Sequence, residues 1–341
     1  GITLTHSTNR IDQQILPTPV PAIVGFQTQQ SNVGELANNT VEASINIPII
    51  QTRDVNYSVR VIYDRTASRI RRLDIPEYFT SAAGQQGSET MFKIVQGGRM
   101  GEIYGRRFVT QCGELPAAFA AQCGGAGSAY QRNSDGYVVY VGAGNTLADG
   151  ISKNLWNTRL APAASPWGGG TGLEPLNWGL PILLRDGNGT VAPLSVGQAL
   201  PAYRWAISQQ GSWKKFTAFV LFDATVGKDV WNIARQWSYG DFMHRDTDQS
   251  GRSVATAKPI GYYFRATSTG GIGGLYDVLG PNNNTTEDAS FIKLRELQVA
   301  YRLGRLAGVG DWSISMVGRN LLTFSDYRGF DPEVGLGERG R

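Results

Sequence analysis

The sequence predicts an all-β chain that forms part of a large antiparallel β-barrel, and both composition and periodicity favour this fold. Gly accounts for 43 of the 341 residues, nearly twice its usual share of roughly 7%. Charged residues make up only 18%, below the usual share of about a quarter. Such a composition is typical of strands joined by turns and loops. Apolar and polar residues also alternate in several segments, which indicates strands with two different faces.

The charge balance and the rare residue types exclude several classes of function. There are 32 Lys and Arg against 28 Asp and Glu, and a net charge of +4 is too small to indicate a nucleic-acid partner. His6 and His244 are the only histidines, so a His-rich metal site or a His-based catalytic triad lacks its residues. No carboxylate pair or nucleophile arrangement is convincing. We therefore predict a protein that is not an enzyme and that has no cofactor.

The first predicted hairpin joins residues 40–51 to residues 57–67 through a polar turn. Every second residue is apolar from Val41 to Ile49 and from Tyr57 to Tyr63, and the residues between them are mostly polar. The apolar set is Val41, Ala43, Ile45, Ile47, Ile49, Tyr57, Val59, Val61 and Tyr63. Because the connection is short, the two strands are expected to pair in antiparallel fashion.

Two further hairpins repeat this construction. We place the turn of the second at Gln209–Ser212 and the turn of the third at Gly304–Gly310. The strands that these turns join are residues 203–208 with 213–224, and residues 291–303 with 311–322. Weaker strands are predicted at Gly1–Ser7, Phe92–Gln96 and Gly136–Val141.

The connections at the two ends of these hairpins differ greatly in length. Short turns lie at one end, whereas roughly residues 68–200 and 227–288 form very long connections at the other. This asymmetry is typical of a transmembrane β-barrel with short periplasmic turns and long extracellular loops. An aromatic residue stands near each short turn, at Tyr57, Trp213 and Trp312, as expected at a membrane boundary. A soluble β-sandwich is the alternative.

A membrane barrel also predicts which residues face lipid. An Arg on the lipid face near the midplane costs about 2–4 kcal/mol, so the charged residues of the strands should face the lumen. The predicted lumen set is Glu42, Arg60, Glu296, Arg302 and Arg319. The predicted outward apolar band is Val41, Ile45, Val59, Val61, Val299, Tyr301, Ile314 and Met316.

Five segments carry a resemblance to a known family. Ser290–Leu303 followed by Gly318–Val334 is similar to a C-terminal signature of the SusC/RagA family of TonB-dependent outer-membrane transporters. Asn32–Glu42 resembles a family segment that enters a barrel strand, Gly97–Gly105 a Gly and aromatic motif, and Val196–Trp205 the approach to a later strand. Together these segments span nearly the whole chain.

The resemblance implies an outer-membrane protein that imports a large nutrient, an oligosaccharide or a peptide. A SusD-like surface lipoprotein would cover the extracellular mouth, and TonB would act through an N-terminal region that this chain does not show. Residues 1–341 would then be a C-terminal portion of a barrel, without a plug domain and without the closing strands of a barrel of about 22 strands. No signal peptide is recognisable at the N-terminus. The alternative is a secreted or surface β-rich binding or structural protein without transport.

The long connections contain the candidate contact residues. Exposed aromatic rings can stack on sugars or pack on peptide side chains, although anchoring of the loops is the competing interpretation. The candidates for ligand or lid contacts are Trp156, Trp167, Trp178, Trp231, Trp237 and Tyr239, with Phe242 nearby.

Two smaller features of the connections are predicted as well. Cys112 and Cys123 suit a small loop disulfide, with two buried free thiols as the alternative. Asp246, Asp248 and Ser250 resemble the opening of a calcium loop, but Ala257 occupies the position of the bidentate Glu. A solvated turn is therefore the default interpretation there.

Overall fold

The computed structural model describes most of the chain, and strands dominate it. The described residues are 1–25, 28–80, 91–149, 178–188, 190–253, 256–259, 261–266, 272–276, 280–306, 308 and 310–333. The strands, in chain order, are β1 (Ile2–Pro19), β2 (Thr28–Gln51), β3 (Val55–Leu73), β4 (Tyr78–Thr80), β5 (Phe92–Ile94), β6 (Glu102–Gly105), β7 (Cys123–Gly124), β8 (Tyr130–Arg132), β9 (Val138–Tyr140), β10 (Leu194–Gln198), β11 (Tyr203–Trp213), β12 (Phe216–Val226), β13 (Asp229–Trp231), β14 (Arg265–Ala266), β15 (Ile272–Gly273), β16 (Thr286–Asp288), β17 (Phe291–Leu306) and β18 (Gly310–Ser325). The α-helices are α1 (Ala117–Ala120) and α2 (Ile233–Gly240), and 3-10 turns lie at Ala22–Val24, Cys112–Glu114, Leu147–Asp149 and Arg245–Thr247.

The long strands form one antiparallel sheet, and all three predicted hairpins are confirmed. The strand order is β1-β2-β3-β11-β12-β17-β18, and each neighbouring pair is antiparallel. The pairs β2/β3, β11/β12 and β17/β18 are the hairpins. Trp213 pairs with Val55 and with Phe216, and Phe216 pairs with Tyr301, so the three short connections lie at the same end of the sheet.

The turn of the second hairpin differs from the prediction. Gln209–Ser212 continue β11, and the turn is formed by Lys214 and Lys215 instead. Lys214 has a φ of 51°, a left-handed conformation that Gly usually takes in such turns, so the sequence offers no turn signal there. Trp213 therefore ends β11 and pairs with Phe216, which explains why it is out of phase with the apolar residues of β12.

The predicted weak strands turn out differently from one another. Gly1–Ser7 belongs to a much longer strand, β1, which pairs with β2 from Ile2 to Pro19. β2 itself begins at Thr28 rather than near residue 40, because its polar first half finds ladder partners in β1 and β3. The prediction implied that β5 and β9 join the large sheet. They lie instead in two small sheets.

We call the described parts of residues 74–202 and 227–290 the loop layer. It contains the main buried core of the described structure, whereas most large apolar residues of the long strands are exposed. Four buried clusters lie in it, and the largest is mostly aromatic: Phe108, Tyr137, Leu180, Tyr239, Tyr262, Leu275 and Tyr276. The loop layer is thus a folded unit with its own hydrophobic packing.

The two long connections are joined to each other through a close backbone contact. A Cβ on Gly105 would lie 2.0 Å from the carbonyl oxygen of Pro281, so this position requires Gly. The N–H of Arg106 donates to that same oxygen at 3.0 Å. Asn283 accepts from the N–H of Phe108 at 2.9 Å. The contact accounts for the last Gly of the Gly97–Gly105 motif.

The structure joins Cys112 and Cys123 in a disulfide beside the cluster that includes Val109, Leu115 and Tyr130. This segment is part of the loop layer, which leaves the sheet at the end opposite the short turns. No helix among the described residues is long and apolar enough to cross a membrane.

We expect the disulfide to stabilise the loop layer without affecting the long sheet. Closing a loop of this size restricts the unfolded chain by about 3 kcal/mol in the chain-entropy model. Replacing Cys112 and Cys123 by Ser should therefore speed proteolysis within residues 105–145, while β11, β12 and β17 stay protected. Ala118→Ser in the exposed part of α1 is the control. Unchanged proteolysis in the double variant would contradict this prediction.

Candidate functional site

One face of the long sheet is apolar and the other is charged. The strand register confirms that the predicted apolar set and the predicted charged set lie on opposite faces. Directly paired residues of antiparallel strands lie on the same face. Ile45 pairs with Val61, and Val61 pairs with Ile207. Val299 pairs with Met316 and with Ala218. The predicted apolar set therefore shares one face, which we call the apolar face.

The apolar face is not covered by any layer of the described chain. Its side chains are among the most exposed large apolar residues, for example Ile314 at 63% and Met316 at 72%. Others are Ile2, Leu4, Ile45, Ile47, Leu297, Val299, Leu322 and Phe324. A soluble sandwich would bury this surface against a second sheet. The described residues show no such packing, which argues against that alternative.

Two rows of aromatic residues border the apolar face. Near the short turns, Trp213 stacks on Phe216 with ring centroids 6.2 Å apart, and Phe216 contacts Tyr301 at 4.6 Å. At the other border, Tyr63 and Tyr203 lie 5.7 Å apart. β11 has 11 residues from Tyr203 to Trp213, a length of about 33 Å along the strand. With a tilt of about 45°, this corresponds to an apolar band roughly 25 Å tall.

A polar residue within the band has a partner. Gln209 lies on the apolar face because it pairs with Val59 and Val220. The hydroxyl of Tyr57 donates to its side-chain oxygen at 2.7 Å. An unpaired amide in hydrocarbon would be costly, so this contact reduces the cost of Gln209 at that depth.

The opposite face carries charges, and we call it the polar face. Register places all five predicted lumen residues there, with Glu42 paired to Asp64 and Glu296 to Arg319. Cross-strand ion pairs connect neighbouring strands: Arg204 to Asp64 at 2.9 Å and Arg319 to Glu296 at 3.3 Å. A charged wall of this kind is suited to line an aqueous channel.

A bulge in β17 changes which residues the polar face presents. Register shifts between Leu294 and Glu296, so Arg295 and Glu296 both lie on the polar face while Leu294 and Leu297 lie on the apolar one. The Arg295 guanidinium is thereby placed against Asp223, with Nη2 to Oδ2 at 3.0 Å. Because of the bulge, two adjacent charged residues both lie on the polar face and neither of them interrupts the apolar band.

The segment Asp326–Glu333 folds back onto β17, and we call it the hook. The Nζ of Lys293 donates to Asp331 at 2.8 Å and to Glu333 at 2.6 Å. Arg295 donates to Glu333 through Nη1 at 2.8 Å and also through Nη2. The ammonium of Lys228 donates to the carbonyl of Pro332 at 3.0 Å. The hook therefore connects β17 to the loop layer through charged hydrogen bonds.

The charge of Glu333 is stabilised by this contact. Hydrogen bonds from Arg295 lower the pKa of Glu333 to about 2. The folded pKa lies below the ordinary value of 4.5. The ionised Glu333 carboxylate therefore contributes fully to the stability of the folded state above about pH 4.5, and this contribution is lost as the pH falls towards 2.

The titration of Glu333 checks this directly. Its side-chain carboxyl carbon, observed by NMR with selective labelling, should titrate with a midpoint near pH 2. Arg295→Gln should move the midpoint upwards, whereas Arg302→Gln, elsewhere on the polar face, should not. A midpoint near 4.5 in the unchanged protein would contradict the contact.

Of the four predicted aromatic contacts that the structure describes, three are buried in the loop layer. Trp156 and Trp167 lie outside the described residues. The indole of Trp178 is buried and donates to the carbonyl of Val141 at 3.1 Å, and that of Trp231 is buried and donates to Gln236 at 2.6 Å. In these two residues the ring is turned into the loop layer and is not available to a ligand.

Tyr239 and Trp237 differ in exposure although both lie on α2. Tyr239 is fully buried, its hydroxyl donates to Asp246 at 3.0 Å, and burial raises its pKa. Trp237 is 47% exposed and packs edge-on against Tyr276. Phe242 and Met243, just beyond the helix, are more exposed still. Trp237 is thus the described candidate whose ring is accessible, and these two neighbours enlarge the patch.

The calcium-like sequence has a neighbourhood that does not suit a cation. The carboxylate of Asp246 lies 3.7 Å from Arg235 and 3.3 Å from His244. Asp248 accepts from both the N–H and the hydroxyl of Ser250 at 2.9 and 2.5 Å. No group of three or more His, Cys, Asp or Glu among the described residues is placed to hold a metal ion. The calcium site stays a prediction from sequence, and these contacts favour a structural role for the turn.

Comparisons with known proteins agree with this geometry. No family model matches the chain. TonB-dependent receptor P3 of Formosa agariphila is 23% identical, over 98% of this chain and 29% of the receptor. TonB-dependent receptor P39 of the same organism is 24% identical, over 96% of this chain and 30% of the receptor. The chain thus spans about three tenths of the length of these curated relatives.

Solved structures give the same fold. The RagAB peptide importer in its closed-closed state matches 98% of this chain and 31% of its own, with a TM-score of 0.58 and 18% identity. Its open-open state gives a TM-score of 0.54 and 17% identity. The fold is that of part of a large antiparallel transmembrane β-barrel. The resemblance to the SusC/RagA family of TonB-dependent outer-membrane transporters is confirmed by these relatives.

Proposed function

We propose that this chain forms part of the barrel wall and the extracellular loops of a TonB-dependent importer in a bacterial outer membrane. The observation that carries the proposal is the long sheet with an uncovered apolar face, a charged opposite face, and all of its described short turns at one end. The apolar face would contact lipid, and the polar face would line the lumen. The loop layer would stand at the extracellular mouth.

The proposed cargo is a large nutrient, an oligosaccharide or a peptide. A wide lumen lined by exposed charged residues such as Arg60 and Arg302 suits a polar solute. Energy would come from the inner-membrane proton gradient through TonB, and a SusD-like lipoprotein would cover the loop layer. The accessible patch at Trp237, Phe242 and Met243 is our candidate for contact with that lipoprotein or with the cargo.

The complete receptor that contains this chain provides the test. Detergent pull-down from outer membranes should recover a SusD-like lipoprotein, and the hydrolases encoded nearby should indicate the cargo class. Uptake of a labelled oligosaccharide or peptide of that class should stop in a strain that lacks the receptor and in cells whose proton gradient is dissipated. Recovery of the receptor alone, or uptake that survives dissipation, would contradict the proposal.

A further inference from the structure

On β1–β3, basic residues replace apolar ones on the apolar face just beyond the aromatic border. Val41 pairs with His6 and with Arg65, so these three side chains lie in one row on the same side as Ile45 and Val61. Arg65 is exposed. It stands ten residues from Val55 along β3, about 33 Å along the strand, and therefore about 25 Å above the lower aromatic row for a strand tilted by about 45°. This is the level at which an apolar band ends.

A second arginine continues the row upwards. Ala37 pairs with Arg10 and with Arg69 without a register shift from the Val41 row, so Arg69 lies on the same side as Arg65. The two are four residues apart on β3, about 13 Å. The charge of Arg10 is balanced by Asp12 at 3.0 Å and Glu35 at 2.6 Å. Arg69 donates to a carbonyl, that of Gly97, at 3.2 Å.

A third arginine meets Arg69 from the loop layer. Residues 97–100 run beside β3 above the start of β11, and Arg99 pairs directly with Arg69 in an antiparallel bridge. Like charges at directly opposite positions repel each other. Neither Arg69, Arg99 nor Arg65 has an ion pair with any carboxylate that the structure describes. We call these three residues the arginine cluster.

From this placement we propose that the arginine cluster binds the phosphate groups of the lipid A headgroup in the outer leaflet. The proposal rests on the membrane orientation given under the proposed function. A phosphate between Arg69 and Arg99 offsets their repulsion, and guanidinium groups donate two parallel hydrogen bonds to phosphate oxygens. Arg65 reaches the same headgroup from the hydrocarbon border, because a long basic side chain extends from an apolar surface to the polar layer.

The phosphate that binds belongs to a lipid and is not a free ion, because Arg65 lies directly next to the apolar face. A free phosphate ion would use Arg69 and Arg99 alone and would gain nothing from the neighbouring apolar rows of Tyr63 and Val61. A lipid A molecule contacts those rows with its acyl chains and the cluster with its phosphates.

The test measures lipid binding to the complete receptor in detergent by native mass spectrometry. The probes are diphosphorylated lipid A, its dephosphorylated form, and inorganic phosphate as a competitor. The test variant changes Arg65, Arg69 and Arg99 to Gln. The matched control changes Arg53, Arg60 and Arg302 to Gln, which removes the same charge from a short turn and from the polar face. Heat-modifiable mobility in gels verifies that both variants fold.

The receptor should bind diphosphorylated lipid A on the order of a hundredfold more tightly than the dephosphorylated form, since each basic residue at a membrane surface contributes about a factor of five. The test variant should lose this preference and the control should keep it. Equal binding of the two lipids, an unchanged preference in the test variant, or displacement of lipid A by low millimolar inorganic phosphate would each overturn the inference. Failure of the receptor to fractionate with the outer membrane would instead contradict the proposed function.

Discussion

Leu297→Arg is expected to lower the stability of the membrane-inserted protein by about 2–4 kcal/mol and to reduce the folded amount in outer membranes. Leu297 lies on the apolar face, where it pairs with Val220 and Gly318 in the middle rows of the band. An Arg there must leave water for hydrocarbon unless it reaches a distant headgroup. Denaturant unfolding in lipid bilayers measures the free-energy change.

The next residue supplies the control for this substitution. Gln298 lies on the polar face and pairs with Phe219 and Val317. Gln298→Arg should change the free energy of unfolding by less than about 1 kcal/mol, because a lumen-facing charge remains hydrated. Equal losses for the two variants would contradict the assignment of the faces.

Lys293→Met is expected to release the hook. The Lys293 side chain is only 4% exposed and forms ion pairs with both Asp331 and Glu333. Removing one partner of a buried pair costs about 3–5 kcal/mol, and the partial exposure of the two carboxylates reduces this to about 2 kcal/mol here. Limited proteolysis should then cleave residues 326–333 much faster than in the unchanged protein.

A turn residue serves as the control for the hook. Lys215→Met removes the same charge from an exposed position next to Lys214 and should leave the cleavage rate unchanged. The double variant Asp331→Asn with Glu333→Gln should reproduce the release, because it breaks the same contacts from the other side. Protection of the hook in Lys293→Met would show that other contacts hold it.

The large sheet could be predicted from the sequence because one of its faces is apolar. Val59, Val61 and their partners alternate mostly with polar residues, Ile62 being an exception, and such alternation indicates both the strand and its facing. Periodicity did not predict the first half of β2, because Gln and Asn are present on both of its faces. The turn at Lys214 escaped prediction because Lys rarely takes a left-handed conformation.

The candidate site was harder to predict, because its contacts connect residues far apart in the chain. The hook joins Lys293 to Glu333 across the whole of β18, and no local pattern indicates such a contact. The tryptophans at 178 and 231 were weighed as ligand contacts, but their burial depends on how the loop layer folds. The bulge at Arg295 was visible only as two adjacent charged residues in an otherwise regular strand.

Spin labels along β12 test the central claim, a two-faced membrane wall, most directly. This strand is apolar on both faces in its middle, since Phe219 and Leu221 pair with Gln298 and Glu296 on the polar face, whereas Val220 and Phe222 lie on the apolar face. Hydrophobicity alone therefore does not assign its facing. Cys112 and Cys123 are joined in a disulfide, so neither thiol competes with a single cysteine that is introduced into β12 for labelling.

The measurement is the collision rate of each label from residue 216 to residue 223 with oxygen and with a water-soluble nickel complex, in outer-membrane lipid. We predict high oxygen and low nickel accessibility at the even-numbered positions, and the reverse at Thr217, Phe219, Leu221 and Asp223. The absence of a two-residue period, or aqueous exposure of the even-numbered positions, would contradict the account.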